Sequence, residues 1–168
     1  NCEVDFLNPQ TMVVQNGAMT SLWPEGIGAE SRMAKRVESE ANLLGIVFTP
    51  AGIMTGAPYR VVDAHHWVFA GTGLRNDDLF GEKCLHMRCP GGASGHETDK
   101  ISPLSSPKNV HLLAKGTNPD DGGAHMVYFD TASGGEVFSV GSITYPSSLP
   151  VDSHISTITA NVLQRFLG

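Results

Sequence analysis

The sequence predicts an α/β protein whose mixed sheet includes an antiparallel hairpin. Three observations predict it. Short apolar runs recur at residues 44–49, 66–70, 110–114, 126–129 and 137–144, each of strand length. The last two flank Asp130-Thr-Ala-Ser-Gly-Gly135, and paired glycines between β-rich runs mark a hairpin. The chain then closes on Ile155, Ile158, Val162, Leu163 and Phe166, which share one face of a helix. Strands and helices interleave, which is the α/β pattern.

The elements follow in order. Residues 12–14 are a candidate strand, and Pro24 suits a first helical turn. From there Ala29, Met33, Val37, Ala41 and Leu44 recur at helical spacing, with Glu30, Arg32, Lys35, Arg36 and Glu38 elsewhere on the wheel. The run 44–49 is stopped by Pro50 and reads as a buried strand. Residues 51–62 carry Gly52, Gly56 and Pro58 and read as a loop that ends at Tyr59 and Arg60. A strand is expected at 66–70, then a loop over 71–89 with a turn at Asn76-Asp77-Asp78. After a glycine-rich loop come the strand at 110–114 and the hairpin, turning at Ser133-Gly134-Gly135. Asp152 or Ser153 caps the last helix, which is expected to pack on the sheet through Phe166 among others. No internal repeat is present.

Length and composition bound the function. The 168 residues suffice for one domain with a core. Hydrophobic residues make up 40%, charged ones only 17%, with 19 glycines and 10 prolines, so the chain is globular and loop-rich rather than disordered. So little charge points to a surface partly covered by something else. The net charge is −6 and the Lys and Arg residues are scattered, which argues against a nucleic-acid partner. No apolar run approaches the ~20 residues of a membrane span. The chain opens on Asn-Cys-Glu-Val-Asp-Phe with no initiator Met, which reads as a piece of something longer. Three cysteines make no disulfide framework and favour a cytoplasmic setting; Cys84 and Cys89 either close a short disulfide or stay as thiols.

The stretch Gly91-Gly-Ala-Ser-Gly-His-Glu-Thr-Asp99 carries the most chemistry. Three glycines and two small residues surround one imidazole and two carboxylates. Glycine permits φ > 0 and close approach, so the loop is expected at the mouth of a pocket with the Glu97 carboxylate pointing in. Glu97 beside His96 is a candidate general base on water, or a ligand for a hard cation or iron, and Asp99 is a second candidate carboxylate. The plain alternative is a turn with solvated charges. The seven histidines do not form a zinc pattern: His65 and His66 are adjacent and point apart in a strand, and no pair is spaced i, i+4. Cys84 or Cys89 with His86 or His96 is a candidate thiolate pair, but no strand–turn–helix elbow surrounds either. Tyr59 and Tyr145 either supply a phenol to a site or pack with a bonded hydroxyl.

Several segments together carry a resemblance. Met126-Val-Tyr-Phe-Asp-Thr-Ala-Ser-Gly-Gly-Glu-Val-Phe-Ser-Val-Gly-Ser-Ile-Thr144 resembles the C-terminal hairpin of the large (β) subunit of N,N-dimethylformamidase, as does Ile155-Ser-Thr-Ile-Thr-Ala-Asn-Val-Leu-Gln-Arg-Phe166. The glycine loop, Trp67-Val-Phe-Ala70, Gly45-Ile-Val-Phe48 and Pro58-Tyr-Arg60 fit in the same order. The resemblance covers roughly residues 44–168, and more weakly Leu22-Trp23. It divides a single domain or domain fragment into an N-terminal segment, 1–43, with one helix, and the dimethylformamidase-like region, 44–168.

That resemblance implies a glutamine-amidotransferase-like fold within a larger subunit. It implies an amide hydrolase that cleaves small N-substituted formamides to amine and formate. It also implies a mononuclear iron held by two tyrosines and a glutamate, the rest of the large subunit and a small subunit as partners, and Glu97 as an active-site carboxylate, either iron ligand or base. The tyrosine ligands are expected upstream; near Leu22-Trp23, where relatives often carry an aromatic residue, this chain has Met19 and Thr20. The iron site is therefore expected to be incomplete within this chain, and the chain alone to be inactive. The rival readings are a non-catalytic interaction domain of a larger assembly and a thiol hydrolase using Cys84 or Cys89.

Overall fold

The computed structural model describes residues 39–168. The expected strand at 12–14 and most of the first amphipathic helix lie outside them. Within them α1 (Ala41–Leu44) is a single turn that starts at its own N-cap, Glu40, so the expected helix does not run through residues 39–40; Gly45 closes it in the left-handed conformation at φ 79°. Glycine takes that conformation without the Cβ penalty. A Cβ there would stand 2.9 Å from the Phe129 ring.

Nine strands follow: β1 (Val47–Thr49), β2 (Gly56–Ala57), β3 (Tyr59–Val61), β4 (Leu79–Phe80), β5 (Ser94–Gly95), β6 (Thr98–Lys100), β7 (His111–Gly116), β8 (His125–Asp130) and β9 (Glu136–Ser139). All their pairings are antiparallel. Five build the main sheet in the order β4-β3-β7-β8-β9, while β1 with β6 and β2 with β5 make two short ribbons beside it. The long helix α2 (Ser153–Leu167) covers the sheet. The mixed α/β class is as expected, with sheet outweighing helix.

The core lies between the sheet, α2 and a 3₁₀ turn at Trp67–Phe69. Tyr59, Val61, Phe80, Leu113 and Met126 meet Ile155 and Ile158 there. In β8 Met126–Phe129 is buried without alternation, as for a strand covered on both faces. The hairpin forms where expected: Thr131 N–H donates to the Gly135 carbonyl at 2.7 Å and Gly134 sits at φ 86°. Asp152 caps α2, accepting from the N–H groups of His154 and Ile155. Among the described residues no helix is long and apolar enough to cross a membrane.

Four expectations are corrected. The run 66–70 is not a strand. The His66 ring accepts from Val68 N–H, and the Asn161 amide donates to the Val68 and Ala70 carbonyls, so the segment curls into the 3₁₀ turn under α2. Tyr59 does not end a loop; it opens β3, whose buried–exposed–buried pattern is that of a sheet strand. The strand expected over 137–144 stops at Ser139, because Gly141 turns at φ 61° and Thr144 leads into a second 3₁₀ turn, Tyr145–Ser147. Finally, Leu163 and Phe166 do not pack inward. They are 55% and 46% exposed, with Leu167 at 85%, and the last turns of α2 are tied down instead through Arg165, which pairs with Glu136 of β9 at 2.7 Å and lies over the Trp67 ring.

Candidate functional site

The glycine loop is held by main chain. β5 pairs with β2, Gly56 opposite Gly95 and Ala57 opposite Ser94. Gly91 and Gly92 have φ of 122° and 154°. A Cβ on Gly92 would lie 2.2 Å from the Ala57 carbonyl, and one on Gly91 2.5 Å from the Gly56 oxygen. The glycines therefore bring two backbones into contact instead of leaving room for a ligand. Ser142 locks the far side: its hydroxyl donates to the Ala93 carbonyl at 2.7 Å and accepts from Gly95 N–H at 2.8 Å.

Beyond the glycines the chain becomes β6, paired with β1 so that Phe48 faces Asp99 and Thr49 faces Thr98. Thr98 turns inward, where it is fully buried, and alternation along the strand sends Asp99 the other way, with Glu97 at the bend just before β6. Both line a groove of about 370 Å³. Its walls are Leu44, Ile46, Phe138, Val140 and Ile143, with the Gly141 and Ser142 backbone between. Asp99 N–H donates to the Gly141 carbonyl at 2.9 Å, and Ser139 Oγ donates to the Leu44 carbonyl at 2.8 Å, so both walls are tied down.

Glu97 is exposed and Asp99 half-buried. Burial, and then the nearby Glu97 charge, pushes the Asp99 carboxyl above its ordinary range. Such a group holds a proton more readily than an exposed aspartate does. Among the described residues no donor hydrogen-bonds either carboxylate.

His96 does not join them. Its backbone is left-handed at φ 71°, bound on one side to Thr55 and on the other to Met54. Its ring stands edge-on to His86 with centroids 5.5 Å apart, and it does not line the groove. Tyr59 lies in the core, stacked on Phe80, with its hydroxyl donating to the Val140 carbonyl at 2.6 Å. Burial, with Tyr145 beside it, pushes its phenol well above the ordinary tyrosine range. Tyr145 is likewise pushed up to about 12 by burial, its hydroxyl paired with Thr159. These two phenols fit the packing alternative. Cys84 and Cys89 are free thiols; Cys84 Sγ contacts the Thr144 carbonyl, and Cys89 is buried.

Among the described residues no three His, Cys, Asp or Glu side chains come together to hold a metal ion. Glu97 and Asp99 supply two hard oxygen ligands at the groove, and any others would have to come from elsewhere. Sequence reasoning missed the side-by-side placement of these carboxylates because His96-Glu97-Thr98-Asp99 is polar throughout and gives no apolar alternation. The signal that could have found it is the i, i+2 spacing at the start of a strand.

Fold and groove together define a mixed α/β domain with a two-carboxylate cleft. The family described as N,N-dimethylformamidase beta subunit-like, C-terminal, matches residues 8–158, and the chain belongs to it. It is similar to the N,N-dimethylformamidase beta subunit of Paracoccus aminophilus, 36% identical over 56% of this chain and 16% of that protein. It is also similar to the N,N-dimethylformamidase beta subunit of an Alcaligenes species, 35% identical over 46% of this chain and 14% of that protein. The aligned part thus spans about a sixth or less of the length of these relatives.

Proposed function

We propose that this chain forms the C-terminal part of an amide hydrolase that cleaves small N-substituted formamides to amine and formate. The observation that carries the reading is membership of the dimethylformamidase beta-subunit family over most of the chain. The groove supplies what the chemistry asks of side chains. In the proposed sequence Glu97 takes a proton from a water as its oxygen attacks the formyl carbon. The C–N bond then breaks as the nitrogen takes that proton back from Glu97. The formic acid so formed passes its proton to the amine, and formate and the ammonium ion leave. If iron serves the reaction, Glu97 is the residue of this region proposed to reach it, with the other ligands from outside the described residues. The proposed assembly is the rest of a large subunit with a small one, and the relatives' beta-subunit names support a multi-subunit protein. The free thiols support a cytoplasmic setting.

The test is Glu97→Gln in the full-length protein, with dimethylformamide turnover and iron content measured on the same preparation. Gln keeps the size but cannot take a proton. A base gives turnover lower by ~10²–10⁴ with iron retained; a ligand gives loss of iron as well. Unchanged turnover and unchanged iron would overturn the role of Glu97.

A second reading, an interaction domain without catalysis, is favoured by one observation. Leu85 and Met87 are 61% and 96% exposed on a loop away from the groove walls. Large apolar side chains so exposed mark contact surfaces when they cluster. Full turnover by a protein altered at both groove carboxylates would favour it.

A further inference from the structure

We propose that the groove between β6 and the 138–143 wall binds a dialkylammonium ion, the protonated amine released by formamide cleavage. The proposal rests on the amide-hydrolase reading for its ligand and on the groove itself for its chemistry. Among the described residues Glu97 and Asp99 both line the groove and no basic residue does. The nearest cation on β6, Lys100, turns away to Asp121. Opposite the carboxylates the walls are Leu44, Ile46, Phe138, Val140 and Ile143. Carboxylates alone would take any cation, and apolar walls alone would take any hydrocarbon. Together they fit a cation whose charge is on nitrogen and whose remaining surface is alkyl.

The sizes agree. The groove holds about 370 Å³, at the lower end of the usual range for small-molecule sites. Dimethylammonium has few atoms, so longer dialkylammonium ions fit as well. Neither carboxylate is engaged by a donor among the described residues, so an ammonium N–H₂⁺ group finds free acceptors. Charge-assisted hydrogen bonds of that kind are the strong ones. Formate, an anion, is repelled from the same place, so the two products separate by charge.

The experiment is a titration of the chain with dimethylammonium, diethylammonium and dipropylammonium chlorides, followed by amide NMR shifts and matched against sodium chloride and sodium formate. The expected result is saturable shifts at Asp99, Gly141 and Ser142. A three-heavy-atom ligand has a ceiling near a Kd of ~1 mM, so dimethylammonium binds in the millimolar range or weaker. Each added methylene on the alkyl chains is expected to tighten binding about three- to fourfold where it contacts the walls. Asp99→Asn is expected to weaken all three ions at least fivefold, and lowering the pH to protonate the carboxylates does the same. No saturable shift, shifts equal to those of sodium chloride, or affinity indifferent to alkyl length would overturn the proposal. Because the titration needs no turnover, its failure is distinct from failure of the hydrolase reading, which the Glu97→Gln assay tests separately.

Discussion

His125, on the second long strand of the sheet, shows how one residue couples fold to pH. Its Nδ1 accepts from Ile101 N–H at 3.1 Å, a bond that only the neutral ring can make. Burial first, then Lys100 and Lys115, hold its pKa down to about 4. A depressed histidine contributes stability that is present above its unfolded value near 6.5 and is lost as pH falls through 4. Integrated over that window and reduced for partial exposure, the effect is about 2–3 kcal/mol. Asp99 titrates with the opposite sign, its raised carboxyl favouring the fold at lower pH. The clean comparison is therefore His125→Asn. Urea midpoints at pH 7 and pH 4.5 are expected to differ less in that variant than in the parent chain; an equal difference would clear His125 of the effect.

α2 is the element on which sequence and structure diverge in the most useful way. Its start was legible, because Asp152 before an apolar period is a cap signal, and the cap is present. Its buried stripe was legible as far as Ile155, Ile158 and Val162. Helical periodicity cannot report that the last turns are tied down by Arg165, paired with Glu136, rather than by apolar side chains, so Leu163 and Phe166 appeared to belong to the same face. The expected energetics separate the two parts. Ile158→Ala is expected to cost ~2–5 kcal/mol, as for a fully buried aliphatic residue. Asp152→Ala is expected to cost ~1 kcal/mol. Phe166→Ala, at a half-exposed site, is expected to cost under ~1 kcal/mol. Thermal midpoints of the three variants check the order; a Phe166→Ala loss as large as that of Ile158→Ala would mean that the Phe166 ring docks.

At the scale of the whole molecule, the class, the hairpin and the final helix were legible because each has a local cause in turn chemistry or period. Three strands of the main sheet, β7, β8 and β9, were legible for the same reason; its β3–β4 edge was not. β3 and β4 are two or three residues long and owe their place to pairing across the chain, Tyr59 with both Phe80 and Gly116. Nothing local to either strand announces that partner. The candidate site was half legible for the same reason: Glu97 was visible as a carboxylate in an unusual loop, but the wall it faces comes from 138–143. The three tyrosines give a reading of the assembled fold. Tyr59, Tyr128 and Tyr145 are all shifted upward, each chiefly by burial. Raised phenols add stability that is complete below pH 10 and lost as pH climbs through their folded values. Absorbance at 295 nm is expected to show no phenolate near pH 10 and then one cooperative rise as the structure opens. A simple titration centred at pH 10 would mean that the phenols are already in water.

The contact of the Gly91–Gly92 backbone with that of residues 56–58 has one more consequence. The strand bearing Asp99 is held by main-chain bonds to β1 and to the Gly141 carbonyl of the facing wall, whereas the Leu44 and Ile143 side chains are 41% and 48% exposed. Leu44 and Ile143 can therefore be exchanged, singly or together, while the carboxylates keep their station. Selectivity among alkyl sizes becomes a property that drift or a designer could adjust at the rim, whereas the glycines would tolerate almost no change across any lineage.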